Sequence, residues 1–318
     1  MTRSGLILSV LLSWGGGQAR ADALTDAAAL GDAMVAAADA VADARAIYMS
    51  GDQVAALAVL IPAADGGNMR AQNIVGASYQ HGNGVAADAG LALHYLSLAA
   101  AQLYPPALHN LGYLYEVGMP GLAPDPVAAR AWYARASALD FAPSMGNLGS
   151  LMLRGIGGPV DLNGAIRNLE RGVGLDDSNA AEWLGYAYAT GQGVAVDLVQ
   201  ARHSYEIAAV TGSGPAATEY AGMLERGEGG PVDLPDAMRF YQRGIAADDA
   251  DAGIGAAWLV FENADIFPDH AEGVSYCLWA LAQAAESDRA LWQDSCDEAA
   301  ALLDPLELRV AQKRADRL

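Results

Sequence analysis

A glycine recurs at Gly82, Gly118, Gly155, Gly191 and Gly227, with Asn263 in the next slot. An aspartate keeps step with it at Asp88, Asp125, Asp161, Asp197, Asp233 and Asp269. Successive glycines stand 36 residues apart, except for 37 between Gly118 and Gly155. A period of that length held over most of a chain predicts stacked helix pairs, a solenoid in which no unit buries its apolar face alone. Within each copy the glycine suits a left-handed helix C-terminus, and the aspartate suits the N-cap of the following helix. These eleven glycines and aspartates are therefore read as turns and caps, although Gly185–Asp197 taken alone suggests a ligand-holding glycine loop.

Composition agrees with closely packed helices. Hydrophobic residues make up 53% of the 318, but alanine is the largest contributor and aromatics are only 7%, a balance that suits helices better than a sheet. The formal charge is -20, from 38 acidic and 18 basic residues spread along the chain. That balance repels nucleic acid and anionic lipid, and it points to a neutral or basic partner. At the N-terminus Arg3, the apolar run Gly5 to Trp14 and the Ala19-Arg20-Ala21 site read as a signal peptide over residues 1–21, followed by no lipid-attachment cysteine. The mature chain is expected to be periplasmic or secreted, with no membrane insertion after cleavage.

The periodic region is assigned to residues 22–286. Its seven copies lie near 27–66, 71–104, 107–141, 144–176, 180–212, 216–247 and 252–286, and capping helices fill 287–318. The first copy is irregular, with a helix from Val54 to Ile61 stopped by Pro62. The cap is expected as two helices, Leu291 to Leu303 and Leu306 to Leu318.

The recurring A-x4-G-x2-Y-x2-G-x-G-V-x2-D-x3-A-x3-Y-x2-A pattern, seen well in Ala180, Gly185, Tyr188, Gly191, Gly193-Val194, Asp197, Ala201, Tyr205 and Ala208, resembles the Sel1-like repeat over roughly residues 45–286. The resemblance implies an all-α, right-handed α-solenoid of tetratricopeptide-like type. It further implies an adaptor without an enzymatic centre, often exported by bacteria, with a periplasmic regulator of a membrane sensor kinase among the roles of similar architectures. Other members serve host contact or envelope maintenance. Some cysteine-rich ones are described as β-lactamase-like or cell-wall-ligand-binding, but those pair cysteines within each repeat and this chain does not.

The resemblance also implies a partner-binding concave face on the first helices. One residue after the motif glycine stand Tyr113, Ser150 and Tyr186; four after, Gln80 and Glu116; five after, His81, Arg154, Thr190 and Arg226. Three residues before it stand Asn73, His109 and Glu182. Such a mixture of aromatic, charged and amide groups suits an extended peptide or a partner helix. The alternative is an ordinary solvated helix face, with His81 and His109 as surface residues.

No catalytic, metal or cofactor site emerges. The histidines His81, His94, His109, His203 and His270 lie far apart without metal spacing, and Asp248, Asp249 and Asp251 lack a calcium-loop frame and are read as capping acids. No Gly-Lys-Ser/Thr follows any glycine cluster, no G-x-S-x-G occurs, and His203-Ser204 falls within a predicted helix. The two cysteines, Cys277 in the second helix of the seventh copy and Cys296 in the next helix, are within bridging reach if those helices form an antiparallel hairpin. A bridge would clamp the cap to the stack; otherwise two thiols are buried separately. Alkylating the mature protein without reductant is expected to leave its mass unchanged, and two labelled thiols would contradict the bridge.

Overall fold

The computed structural model describes residues 40–318, so the signal-peptide segment and the start of the first copy lie outside the described residues. Among the described residues there are sixteen helices and no strand. The first pair is α1 (residues 40–49) and α2 (Gln53–Asp65), and the next is α3 (Met69–His81) and α4 (Ala89–Ala101). Then come α5 (Pro105–Val117) and α6 (Pro126–Ser137), α7 (Ala142–Arg154) and α8 (Leu162–Val173), and α9 (Ser178–Thr190) and α10 (Leu198–Val210). The last pairs are α11 (Gly214–Arg226) with α12 (Leu234–Ile245) and α13 (Ala250–Glu262) with α14 (His270–Gln283), followed by α15 (Glu286–Ala300) and α16 (Pro305–Ala315). The chain gathers into two compact units that divide between Pro124 and Asp125, inside the one loop that carries an extra residue. Each unit is α-solenoid in construction.

Each turn is closed by the two residue types that recur. Gly82, Gly155, Gly191 and Gly227 sit in the left-handed region at φ 72°, 67°, 78° and 68°, where their N–H groups bond back to the preceding helix. Each following aspartate caps the next helix: Asp88 accepts from Leu91 N–H, Asp161 from Gly164, Asp197 from Val199 and Gln200, and Asp233 from Asp236. The aspartates' own N–H groups bond backwards, Asp88 to Tyr79 O at 3.0 Å, Asp197 to Tyr188 O at 3.0 Å and Asp233 to Leu224 O at 3.0 Å. The cap thus anchors the loop at both ends, which explains why the six-residue spacing is kept. Asp125 and Asp269 cap in the same way, accepting from Val127 and Ala128 and from Glu272. Gly118 differs: with φ 73° and ψ -175° it leaves the left-handed helical region, and Met119 and Leu122 exchange backbone bonds across the longer loop. Asn263 also differs, closing α13 at φ -124° with its amide on Leu259 O.

Packing within a pair depends on the absence of a side chain. A Cβ on Gly185 would stand 2.9 Å from the Tyr205 ring, and one on Gly76 would stand 2.7 Å from Leu96 Cγ. Gly149 meets Leu169 in the same way. Each filler lies eight residues after the cap aspartate and is buried. Between neighbouring pairs a second small residue does the same work, as Gly172 sits against Ala180 and Gly244 against Ala252.

A third contact links alternate loops to the pair before them. Arg130 on α6 donates from Nη1 to Pro159 O at 2.9 Å, and Arg202 on α10 donates to Pro231 O at 3.0 Å. Both loops read Gly-Gly-Pro-Val-Asp, and their second glycines, Gly158 and Gly230, leave room for the guanidinium.

Three expectations are corrected. Pro62 lies inside α2 rather than ending it: a proline forfeits one backbone bond, whereas buried Leu60 and Ala64 and the Asp52 cap carry the helix on to Asp65. The terminal helices start earlier than expected because α15 begins at Glu286, directly after the N-cap Ala285, with Glu286 and Asp288 in its first turn. Asp304 and Glu307 form a capping box ahead of α16. Third, α16 ends at Ala315, short of Leu318, and it packs Ala311 against Ala271, Val274 and Ala299 while Arg314 pairs with Asp269 at 2.7 Å. Cys277 and Cys296 are both buried and form a disulfide with Cα atoms 5.7 Å apart, joining α14 to α15.

Two substitutions separate these contacts. Gly185→Ala gains up to about 1 kcal/mol of helix propensity but drives a methyl into a buried ring that cannot turn aside, a cost of about 1–3 kcal/mol. Arg202→Met loses the exposed bond to Pro231 O and a longer, part-buried one to Glu228 O, about 1 kcal/mol. Urea midpoints are expected to fall for both variants.

Candidate interaction face

The second unit carries the more developed surface, on its first helices α7, α9 and α11. Trp183 and Tyr186 share one side of α9 and meet edge to face, ring centroids 5.6 Å apart at 78°. Arg154, in the last turn of α7, places its guanidinium 5.8 Å from the Trp183 ring centroid. Beneath them a cavity of about 300 Å³ is floored by buried Tyr205 and bounded by Glu182 on α9 and Glu219 and Pro215 on α11. Tyr186 is 37% exposed, and its hydroxyl accepts from Gln192 Nε2 at 3.2 Å.

The cavity is electrostatically negative. Burial pushes the Tyr205 phenol up, with Glu219, Glu182 and Tyr186 adding to it. Glu219 has an open surface but is crowded by protein, and that crowding pushes its carboxyl above the usual range. Arg226 opposes the shift, and Asp249, Asp251 and Glu182 reinforce it. Arg226 is itself engaged by Glu228 at 2.8 Å.

Several of the other residues assigned to this face have internal duties. Ser150 is buried, 7% exposed, and its hydroxyl donates to Asn147 O at 2.9 Å, so it presents nothing to a partner. Glu182 accepts from Ser213, the cap of α11, and Thr190 donates to Tyr186 O at 2.7 Å. In the first unit Asn73 accepts from Asn110 Nδ2 at 2.9 Å, tying α3 to α5. Tyr113 there is 40% exposed and lies near His81, ring centroids 6.2 Å apart, with Gln80 and Glu116 half-buried. His109 is not a surface histidine: it is half-buried, and burial lowers its pKa to about 4. Trp183, Tyr205 and Glu219 join this face from outside the motif offsets that define it in sequence. Their one signal is Trp183 two residues before the motif glycine, in an aromatic-poor chain.

Among the described residues no group of three His, Cys, Asp or Glu is placed to hold a metal, and no helix is long and apolar enough to cross a membrane.

The Sel1 repeat family model matches residues 70–102, 105–141, 142–176, 178–209 and 214–249, more than half of the chain. Among solved structures, a Sel1 repeat protein from Oxalobacter formigenes is 28% identical with a TM-score of 0.61, covering 69% of this chain and 87% of that one. The uropathogenic Escherichia coli protective antigen c5321, described as displaying an SLR fold, shares the fold at 24% identity and a TM-score of 0.66, covering 82% of this chain and 56% of that one. A chitin synthase regulator, SKT5, of Malassezia restricta is 33% identical over 135 residues, which are 41% of this chain and 9% of that relative.

His109 gives the first unit a pH dependence of known sign. Its folded pKa of about 4 lies below the ordinary 6.5, so its contribution is complete above pH 6.5 and is lost as pH falls through 4. That contribution is at most about 3 kcal/mol. Denaturant midpoints between pH 7 and pH 4 are expected to fall less steeply for His109→Gln than for the unsubstituted protein.

Proposed function

Because this chain belongs to the Sel1 repeat family, we propose that it is a non-catalytic adaptor, exported to the periplasm, that regulates an envelope protein such as a membrane sensor kinase by direct contact. The observation that carries this reading is the aromatic and charged surface of α7, α9 and α11, where Trp183, Tyr186 and Arg154 stand together. The repeat does not need them: its turns and core are complete with Gly185, Tyr205, Gly191 and Asp197. Exposed aromatic and arginine side chains around a hollow are the residue types that dominate protein–protein contact energies.

Export is supported by the Arg3, Gly5 to Trp14 and Ala19-Arg20-Ala21 series and by a buried disulfide, a bond that persists in oxidising compartments. Regulation is supported more loosely by the relative described as a chitin synthase regulator, of which this chain matches only a small part.

Cross-linking in intact cells followed by mass spectrometry tests the reading. The processed chain is expected in the periplasmic fraction, joined to an envelope protein. Tyr186→Ala is expected to lower recovery of that partner by about tenfold or more, as for an aromatic anchor, with Tyr113→Ala testing the first unit separately. Unchanged recovery in both variants and in their combination would remove these faces from the contact.

A further inference from the structure

The cavity between α9, α10 and α11 has a composition suited to one kind of side chain. Its aromatic surfaces are the rings of Trp183, Tyr186 and Tyr205, and its acidic groups are Glu182 and Glu219. An aromatic face attracts a cation through its quadrupole, and a carboxylate beside it adds direct charge attraction. The two together distinguish a cationic side chain from a neutral apolar one.

The charge inventory favours the same occupant. Glu182 is engaged by Ser213 through one oxygen and has acceptor capacity left, since a carboxylate accepts several bonds. Glu219 is crowded by protein and faces the further acids Asp249, Asp251 and Glu182. Against these stand two cations. Arg226 is held by Glu228 at 2.8 Å, and Arg154 lines the cavity with its guanidinium 5.8 Å from the Trp183 ring centroid. The chain as a whole carries -20, so a basic segment approaching it is drawn in from a distance as well.

We propose that this cavity receives a lysine or arginine side chain from the protein partner, with Trp183, Tyr186 and Tyr205 enclosing the stem and Glu182 and Glu219 pairing with the charged head. The inference rests on the adaptor reading, to which it adds the chemistry of the contact: a basic residue in the bound segment is the specificity element, and Tyr186 is one wall of its pocket.

The test uses the folded full-length chain and defined probes. Acetyl-Gly-Arg-Gly-amide and acetyl-Gly-Lys-Gly-amide are titrated against the indole N–H resonance of Trp183, identified by its loss in Trp183→Phe. Norleucine and glutamate peptides of the same length serve as comparisons. The basic peptides are expected to move the resonance saturably, the norleucine peptide weakly and the glutamate peptide not at all. Glu219→Gln and Glu182→Gln are each expected to weaken the basic peptides by about tenfold, and rising salt to weaken them further. Both substitutions keep the side-chain shape and one acceptor oxygen while removing the charge, and a far-ultraviolet thermal melt confirms that each variant is folded.

Equal responses to the norleucine and basic peptides would overturn the proposal, as would responses unchanged in both glutamine variants. A stronger response to the glutamate peptide would assign the cavity to Arg154 and overturn it too. The adaptor reading is scored separately by cross-linking in cells. If a partner is recovered equally by the unsubstituted chain and both glutamine variants, the adaptor stands and the basic-residue pocket falls. If the peptides bind but no partner is cross-linked, the pocket stands and the adaptor reading falls.

Discussion

The tight approach of two helices at a glycine is the contact on which the repeats around Gly76, Gly149 and Gly185 depend, with Ala221 and Ala257 as the small residue in the last two copies. Gly185 has no Cβ, so the Tyr205 ring of the following helix lies against bare backbone, and Leu96 and Leu169 use Gly76 and Gly149 in the same way. Because that crossing is so close, the next pair can also approach closely, through Gly172 on Ala180 and Gly244 on Ala252. The core that results interleaves many alanines with larger side chains, as Ala216, Ala217 and Ala221 lie with Tyr220, Met223, Leu224, Phe240 and Tyr241. Little apolar area is available inside a single pair, so its stability comes from its neighbours.

The turns and caps were legible because their chemistry is local. A glycine at a helix end and an aspartate six residues later answer to backbone geometry and to free N–H groups, and both recur in register. What escaped the sequence depends on side chains meeting across 25 or more residues. Nothing in the neighbourhood of Arg130 or Arg202 announces that their guanidinium groups reach Pro159 O and Pro231 O. The face assigned by motif offset was legible only in part, because an offset places a residue on a helix without saying whether the adjacent helix uses it. Ser150 turned inward, Asn73 and Glu182 serve the joints between pairs, and only Tyr113, Tyr186, His81, Arg154, Thr190 and Arg226 remain exposed. Pro62 does not end its helix because the one backbone bond it forfeits is outweighed by the burial of Leu60 and Ala64 on either side.

A division of labour along the sequence follows. Residues that keep the period build the scaffold, and residues that break it carry the surface chemistry. Tyr186 sits beside Gly185, and Trp183 stands two positions before it, so the scaffold glycine that admits Tyr205 also borders the hollow in front of it. The same side chain, Tyr205, thus packs the repeat from behind and forms the floor of the cavity.

The arginine clasps bear on how such a chain grows or shrinks over evolutionary time. Arg130 serves the Gly157-Gly158-Pro159 loop and Arg202 the Gly229-Gly230-Pro231 loop, while the loop between them, Gly191 to Asp197, has Ile166 and Leu162 beneath Gly193 and no guanidinium. Excising one repeat from this region would set an arginine under a loop shaped for isoleucine, or the reverse. Excising two adjacent repeats would restore every match. Across this region the arginine–loop match repeats every second unit, so the array changes length without a mismatched joint in steps of two repeats.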